Sequence, residues 1–233
     1  MALLVSINIS DIFITALVYT EIMTFDYFRF LVPGIVTMGL FTAASDTGRR
    51  VHLALTEGVA QYYLTLPIST RGLVLAYLVS GGLGGVVYSL SLLGVAFVVV
   101  PSQGILNAFL ILPFLFGLSA GLAGLAAFAA SLTSRGELYW VYAQTLQVGL
   151  VTLSTVFYPA ETIARFLPQP APLIAEANPL SIAAQALRES VFAGSPLDFA
   201  LMGRLLLSSA PLALAGILGY SFILWRVRVY GKP

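Results

Sequence analysis

The chain has 233 residues, 59% of them hydrophobic and 9% charged, with a net charge of +1 at pH 7 and no cysteine. Ordinary soluble domains carry about 25% charged residues, so charges this sparse cannot coat a water-soluble globule, and lipid must cover much of the surface. The even charge balance and scattered basic residues point away from a nucleic-acid partner, and the lack of Cys excludes disulfides, thiolate metal sites and a thiol nucleophile.

A membrane-spanning helix needs roughly 20 apolar residues, so the spacing of charges measures the spans. The opening "ALLVSINISDIFITALVY" gives a first span near 2–20, although it contains Asn8, Ser10 and Asp11. It lacks the basic start and small-residue cleavage site of a signal peptide. "RFLVPGIVTMGLFTAAS" gives a second span near 30–48. No Asp, Glu, Lys or Arg occurs between Arg71 and Arg135, a run too long for one helix. "PSQG" at Pro101–Gly104 divides it into spans near 73–100 and 105–132. A fifth span falls near 138–158 and a sixth near 203–226. The expected fold is an all-α integral membrane protein, a single domain over 1–233 with six transmembrane helices. Lys and Arg asymmetry then sets orientation: with both termini cytoplasmic, Arg49, Arg50, Arg71, Arg135, Arg226, Arg228 and Lys232 fall inside.

Two segments between spans have structure of their own. In the inner segment 49–71, Leu55, Val59, Tyr62 and Leu66 recur at helical spacing, Thr56 is suited to cap the start, and Pro67 disfavours helix at Leu66. This predicts a short amphipathic helix at the inner surface, with "IST" at Ile68–Thr70 capping the next span. In the outer segment 159–198, Pro159, Pro168, Pro170, Pro172 and Pro179 break the chain into pieces. A second amphipathic helix follows, with Leu180, Ala184, Leu187 and Val191 on one face. Half-polar pieces of this kind are tolerated at membrane depth where protein buries them, so they are expected to dip inward and cap a cavity.

Most chemical motifs fail on context. "GLSAG" at Gly117–Gly121 matches a nucleophile elbow, but it lies inside an apolar helix far from His52, the one histidine. Gly117 with Gly121, and Gly81 with Gly85, read instead as GxxxG pairs for close helix packing. "SGGLGG" at Ser80–Gly85 lacks the G-K-[ST] of a phosphate loop, so no ATP site is expected in this chain. The sequon at Asn8–Ser10 and the carboxylate Asp11 lie within the first span. His52 reads as a solvated loop residue, and Tyr139, Trp140, Tyr142, Phe157 and Tyr158 read as an interfacial aromatic belt. No catalytic, cofactor or metal residues are assigned.

Three stretches resemble, in order and sidedness, the ABC-2 type permease family: "YFRFLVPGIVTMGLFTAA" (27–44), "LTEGVAQYYLTLPISTRGLVLAYLVSG" (55–81) and "FYPAETIARFLPQPAPLIAEANPLSIAAQALRE" (157–189). Family members usually begin with a basic amphipathic helix ahead of the first span, whereas this sequence begins almost inside that span, so that either its start is truncated or that helix is absent. The resemblance implies a plasma-membrane exporter subunit that forms a homo- or heterodimer with a second permease copy. It also implies two ATP-binding cassette ATPase subunits, which bind the ATP and Mg. ATPase docking falls on Glu57, Gln61, Tyr62, Tyr63, Leu66 and Pro67, and an outer gate on Pro159, Asn178, Pro179, Leu187 and Arg188. An apolar path suits an amphipathic small molecule, drug or lipid-like substrate. An ion-coupled secondary transporter would instead need midplane carboxylates and inverted repeats, of which only Asp11 is a candidate. A non-transporting membrane scaffold is the other alternative.

Overall fold

The computed structural model describes residues 27–100, 102–133 and 135–231, and every regular element among them is helical. In chain order these are α1 (Tyr27–Thr56), α2 (Val59–Thr65), α3 (Thr70–Val99), α4 (Ile105–Ser131) and α5 (Gly136–Thr152). Then come α6 (Ala160–Phe166), α7 (Ala171–Ala177), α8 (Pro179–Ala186) with a π-helical turn (Leu187–Phe192), and α9 (Phe199–Tyr230). Four of them, α1, α3, α4 and α9, are long and apolar enough to cross a membrane. The expected first span near 2–20 lies outside the described residues. Most of the expected span near 138–158 is α5, whose 17 residues rise roughly 26 Å at ~1.5 Å each, against ~30 Å of hydrocarbon.

Hydrogen bonds fix the direction of each helix. The start of α1 meets the π-helical turn, where Arg188 Nε donates to the Phe30 carbonyl at 3.0 Å. The loop between α3 and α4 lies at the same end, with Ser102 Oγ donating to Val191 O at 2.6 Å. At the other end, the Gln61 side chain of α2 donates to the Gly231 carbonyl just past α9, at 2.9 Å. The long helices therefore alternate in direction. One end of the bundle carries α2, and the opposite end carries the Pro-rich cap built from α6, α7, α8 and the π-helical turn.

Helix α4 is the central pillar and packs against α1, α3 and α9. Leu118, Leu122 and Ala123 on it are fully buried. Lipid offers no hydrophobic drive between helices, so association relies on close packing and interhelical hydrogen bonds. Small residues supply both. A side chain at Gly81 would overlap Ala123, and one at Gly85 would overlap Ser119. Gly117 faces Leu206, Gly121 faces the Ser209 backbone, and Gly124 abuts Gly216 across α4 and α9. Ser119, buried completely, donates its hydroxyl to the Gly81 carbonyl at 2.9 Å. The serine of the apparent nucleophile elbow is thus a cross-link between helices.

Helix α1, the expected second span, runs well beyond its expected end near 48, reaching Thr56. Its charges satisfy one another: Asp46 pairs with Arg49 and with Arg50, each at 2.8 Å and one turn away. Accordingly Thr56 does not cap α2; its hydroxyl donates back to the His52 carbonyl at 3.0 Å. The residue ahead of α2 is Gly58, at φ 79°, a left-handed conformation that glycine adopts without strain. Pro67 follows an extended Leu66, and Ser69 Oγ accepts from Gly72 N at 3.1 Å to start α3.

The glycine cluster of α3 allows a paired test. Gly84 has open space where Gly85 has Ser119. Gly85→Ala should lower helix-bundle stability by about 1–3 kcal/mol through overpacking. Gly84→Ala should leave it unchanged or raise it by up to ~1 kcal/mol, the helix-propensity gain. Thermal unfolding of the detergent-solubilised variants checks the difference.

Candidate functional site

Two places combine exposed or polar residues with defined geometry, one at each end of the bundle. At the first, α2 hangs between α1 and α3. Its Ala60 is buried as a seat, while Gln61 is exposed and Tyr62 is 62% exposed. Tyr62 and Tyr63 place their rings 6.2 Å apart, with Tyr63 half-buried. Behind α2 a cavity of about 500 Å³ opens between α1, α2 and α3, lined among others by Arg50, Glu57, Tyr63 and Tyr77. The docking residues of the sequence therefore separate into two sets. Gln61, Tyr62 and Pro67 face outward, Leu66 is half-buried, and Glu57 and Tyr63 border the cavity. Seven residues do not form a stable helix in isolation. The shape of α2 is set by Gly58, Pro67 and the bond to Gly231.

At the second place, the chain leaves helical geometry after α5 and runs non-helically to Tyr158. Each backbone group freed there needs a partner, and the cap provides them. Asn178 Nδ2 donates to Leu150 O and Leu153 O, both at 2.7 Å. Its Oδ1 accepts from Leu180 N at 2.9 Å, so the same side chain caps α8. Arg188 Nη2 donates to Thr155 O at 2.8 Å and to Val156 O at 3.2 Å. The Tyr27 hydroxyl donates to Phe157 O at 3.0 Å, and Thr155 N donates to Ser181 Oγ at 2.8 Å. Gly34 of α1 lets the bend lie against it, since any side chain there would overlap the Val156 carbonyl.

The guanidinium of Arg188 also lies over the Phe30 ring at 3.6 Å, a close cation–π contact. Burial lowers its pKa to about 10, which leaves it a cation at neutral pH. A cavity of about 410 Å³ opens beside it between α6, α7, α8 and α9.

Among the gate residues of the sequence, Asn178 and Arg188 are brought together around this bend, and Leu187 is fully buried. Pro179 opens α8 and is buried, and Pro159 accepts from Thr162 N at 3.0 Å to start α6. The face predicted on α8, Leu180, Ala184, Leu187 and Val191, is fully buried. Two sequence readings are overturned. His52 is 4% exposed and stacks on Tyr139 at 5.0 Å, because α1 continues past it and α5 covers it. Tyr139 leaves the aromatic belt: it is 1% exposed and donates to the Ser45 carbonyl at 3.0 Å. Trp140 and Tyr158 remain exposed. Arg204, Glu161 and Glu176, all on the cap cavity, were not singled out; they carry no motif, and only the folded cap collects them.

Removing Arg188 should loosen the cap. Arg188→Ala leaves the Phe30, Thr155 and Val156 carbonyls without this donor, and charged hydrogen bonds contribute about 1.5–3 kcal/mol each. Arg188→Lys should fail to rescue, because an ammonium does not reproduce the planar fork. Limited proteolysis across 153–198 should show faster cleavage in both variants than in the unsubstituted chain. Comparison of the chain with family models, curated proteins and solved structures gives no significant match.

Proposed function

We propose that the chain is the membrane-spanning permease subunit of an ATP-driven exporter of the ABC-2 type, working as a dimer with two separate ATPase subunits. The observation that carries this reading is the construction of α2. It is short, exposed on its outer face, and tied at both ends to long helices without a flexible linker. Gly58 joins it to α1, Pro67 and Ser69 join it to α3, and Gln61 bonds the end of α9. A force applied to Tyr62 therefore reaches three long helices as a rigid-body displacement. That is what a coupling element needs.

Further support comes from the placement of charge. Arg49, Arg50, Arg71, Arg135, Arg226 and Arg228 belong to the α2 end, against Arg29, Arg165, Arg188 and Arg204 at the cap end, where Glu161, Glu176, Glu189 and Asp198 also lie. By the positive-inside rule the α2 end is cytoplasmic, the side on which ATP is hydrolysed. On this reading α5 and the following bend together complete the fifth span, residues near 2–20 supply the first, and the cap dips in from the outer face. The pathway for an amphipathic substrate runs between two copies of the chain. ATP and Mg are held by the partner ATPases.

Tyr62→Ala and Glu57→Lys alter exposed residues and should leave thermal stability unchanged. Both should reduce pull-down of an ATP-binding cassette ATPase and cut ATP-driven export at least about ten-fold, the effect of ~1.4 kcal/mol at an interface. Undiminished assembly and export in both variants would remove the docking assignment.

A further inference from the structure

The cavity at the cap end holds an unusual set of charges. Its walls bring together Arg188 from the π-helical turn, Arg204 from α9, Glu161 from α6 and Glu176 from α7. None of the four forms an ion pair with another described residue. Two arginines and two glutamates thus line about 410 Å³, with Arg188 half-buried and Glu161, Glu176 and Arg204 exposed. Cavities of roughly 300–1,000 Å³ are the usual size for small ligands.

The anchoring of Arg188 makes it more than a surface charge. Nε and Nη2 are fixed by three backbone carbonyls and the guanidinium is pressed onto Phe30, so the group is already oriented. Its remaining terminal nitrogen, Nη1, donates to no described residue. An oriented guanidinium with a spare donor is suited to an oxyanion. The two carboxylates oppose a ligand that is only anionic and call for a hydrogen-bonding cation. A lone cation would in turn meet the two arginines. A ligand bearing both charges satisfies all four side chains.

We propose that this cavity binds a small zwitterion of the phosphoethanolamine type, with its anionic group toward Arg188 and Arg204 and its primary ammonium toward Glu161 and Glu176. Such a group occurs free in solution and as the head group of a phospholipid. The surroundings suit the lipid form as well, since Phe166 on α6 and Leu173 on α7 are 74% and 61% exposed. The site stands apart from the permease reading, because binding is measured on this chain alone, without an ATPase.

The test uses the full chain in detergent, titrated by calorimetry with O-phosphoethanolamine, inorganic phosphate and ethanolamine. O-phosphoethanolamine should bind at least ten-fold more tightly than either half. Arg204→Ala and the double variant Glu161→Gln/Glu176→Gln should each weaken it at least ten-fold with unchanged thermal unfolding. In parallel, native mass spectrometry from nanodiscs of equal phosphatidylethanolamine and phosphatidylglycerol reads lipid retention. Preferential retention of phosphatidylethanolamine, lost in the same variants, supports the site and assigns the lipid source. Selective binding of O-phosphoethanolamine without lipid enrichment supports it and assigns a soluble ligand. The proposal is overturned if phosphate or ethanolamine binds as tightly, if the variants match the unsubstituted chain, or if neither form of the zwitterion is selected.

Discussion

The structure depends most on one obligation: the non-helical stretch between α5 and α6 must find hydrogen-bond partners inside the protein. Ser154, Thr155 and Val156 are buried, and an unsatisfied amide or carbonyl in such surroundings costs several kcal/mol. Asn178 takes the carbonyls of Leu150 and Leu153, Arg188 those of Thr155 and Val156, and Tyr27 that of Phe157. Only side chains with several donors, or donors placed by separate elements, meet so many needs in so short a stretch. The positions of α1, α8 and the π-helical turn follow from that demand.

The same network explains the local irregularity at Leu187–Phe192. A π-helical turn is rare and appears mostly as a single turn within α-helices. Here the turn begins directly before Arg188, whose guanidinium spans from the bend to the Phe30 carbonyl. The turn's own carbonyls are then taken by the loop after α3 and the start of α4: Ser102 and Gly104 bond Val191 O, and Asn107 bonds Ser190 O. One distortion therefore ties α1, the bend and the α3–α4 loop into a single polar knot. The α2 end is built differently, with a cavity behind a short helix and fewer cross-links.

What could be read from the sequence follows from which interactions are local. The charge-free run between Arg71 and Arg135 and its "PSQG" break correspond to α3 and α4, because burial in lipid is a property of each segment by itself. Pro67 and Ser69 are legible for the same reason: a proline restricts the residue before it, and a serine caps the amides just ahead. The end of α1 was not legible, since Asp46, Arg49 and Arg50 look like the edge of a span until they are seen to neutralise one another along the helix. His52 was misread because its partner, Tyr139, is distant in sequence. The hydrogen bonding of Arg188 was not legible, because its acceptors are backbone carbonyls, which leave no mark in side-chain identity.

The contrast between the ends bears on how motion would pass through the bundle. In its middle, α4 meets its neighbours through Gly81, Gly85, Gly121, Gly124 and Gly216, where backbones approach too closely for sliding past a side chain. Such contacts favour movement of packed helices together over bending of one against another. The cap end is tied by hydrogen bonds from several elements, including Arg188 to the Phe30 carbonyl of α1. The α2 end has space behind Tyr63 and Glu57 in which a displaced helix can settle. On the proposed reading, a push on α2 would tilt α1 and α3 about the cap rather than distort the cap itself. The polar knot would then serve as the pivot, and its hydrogen bonds would persist through the cycle.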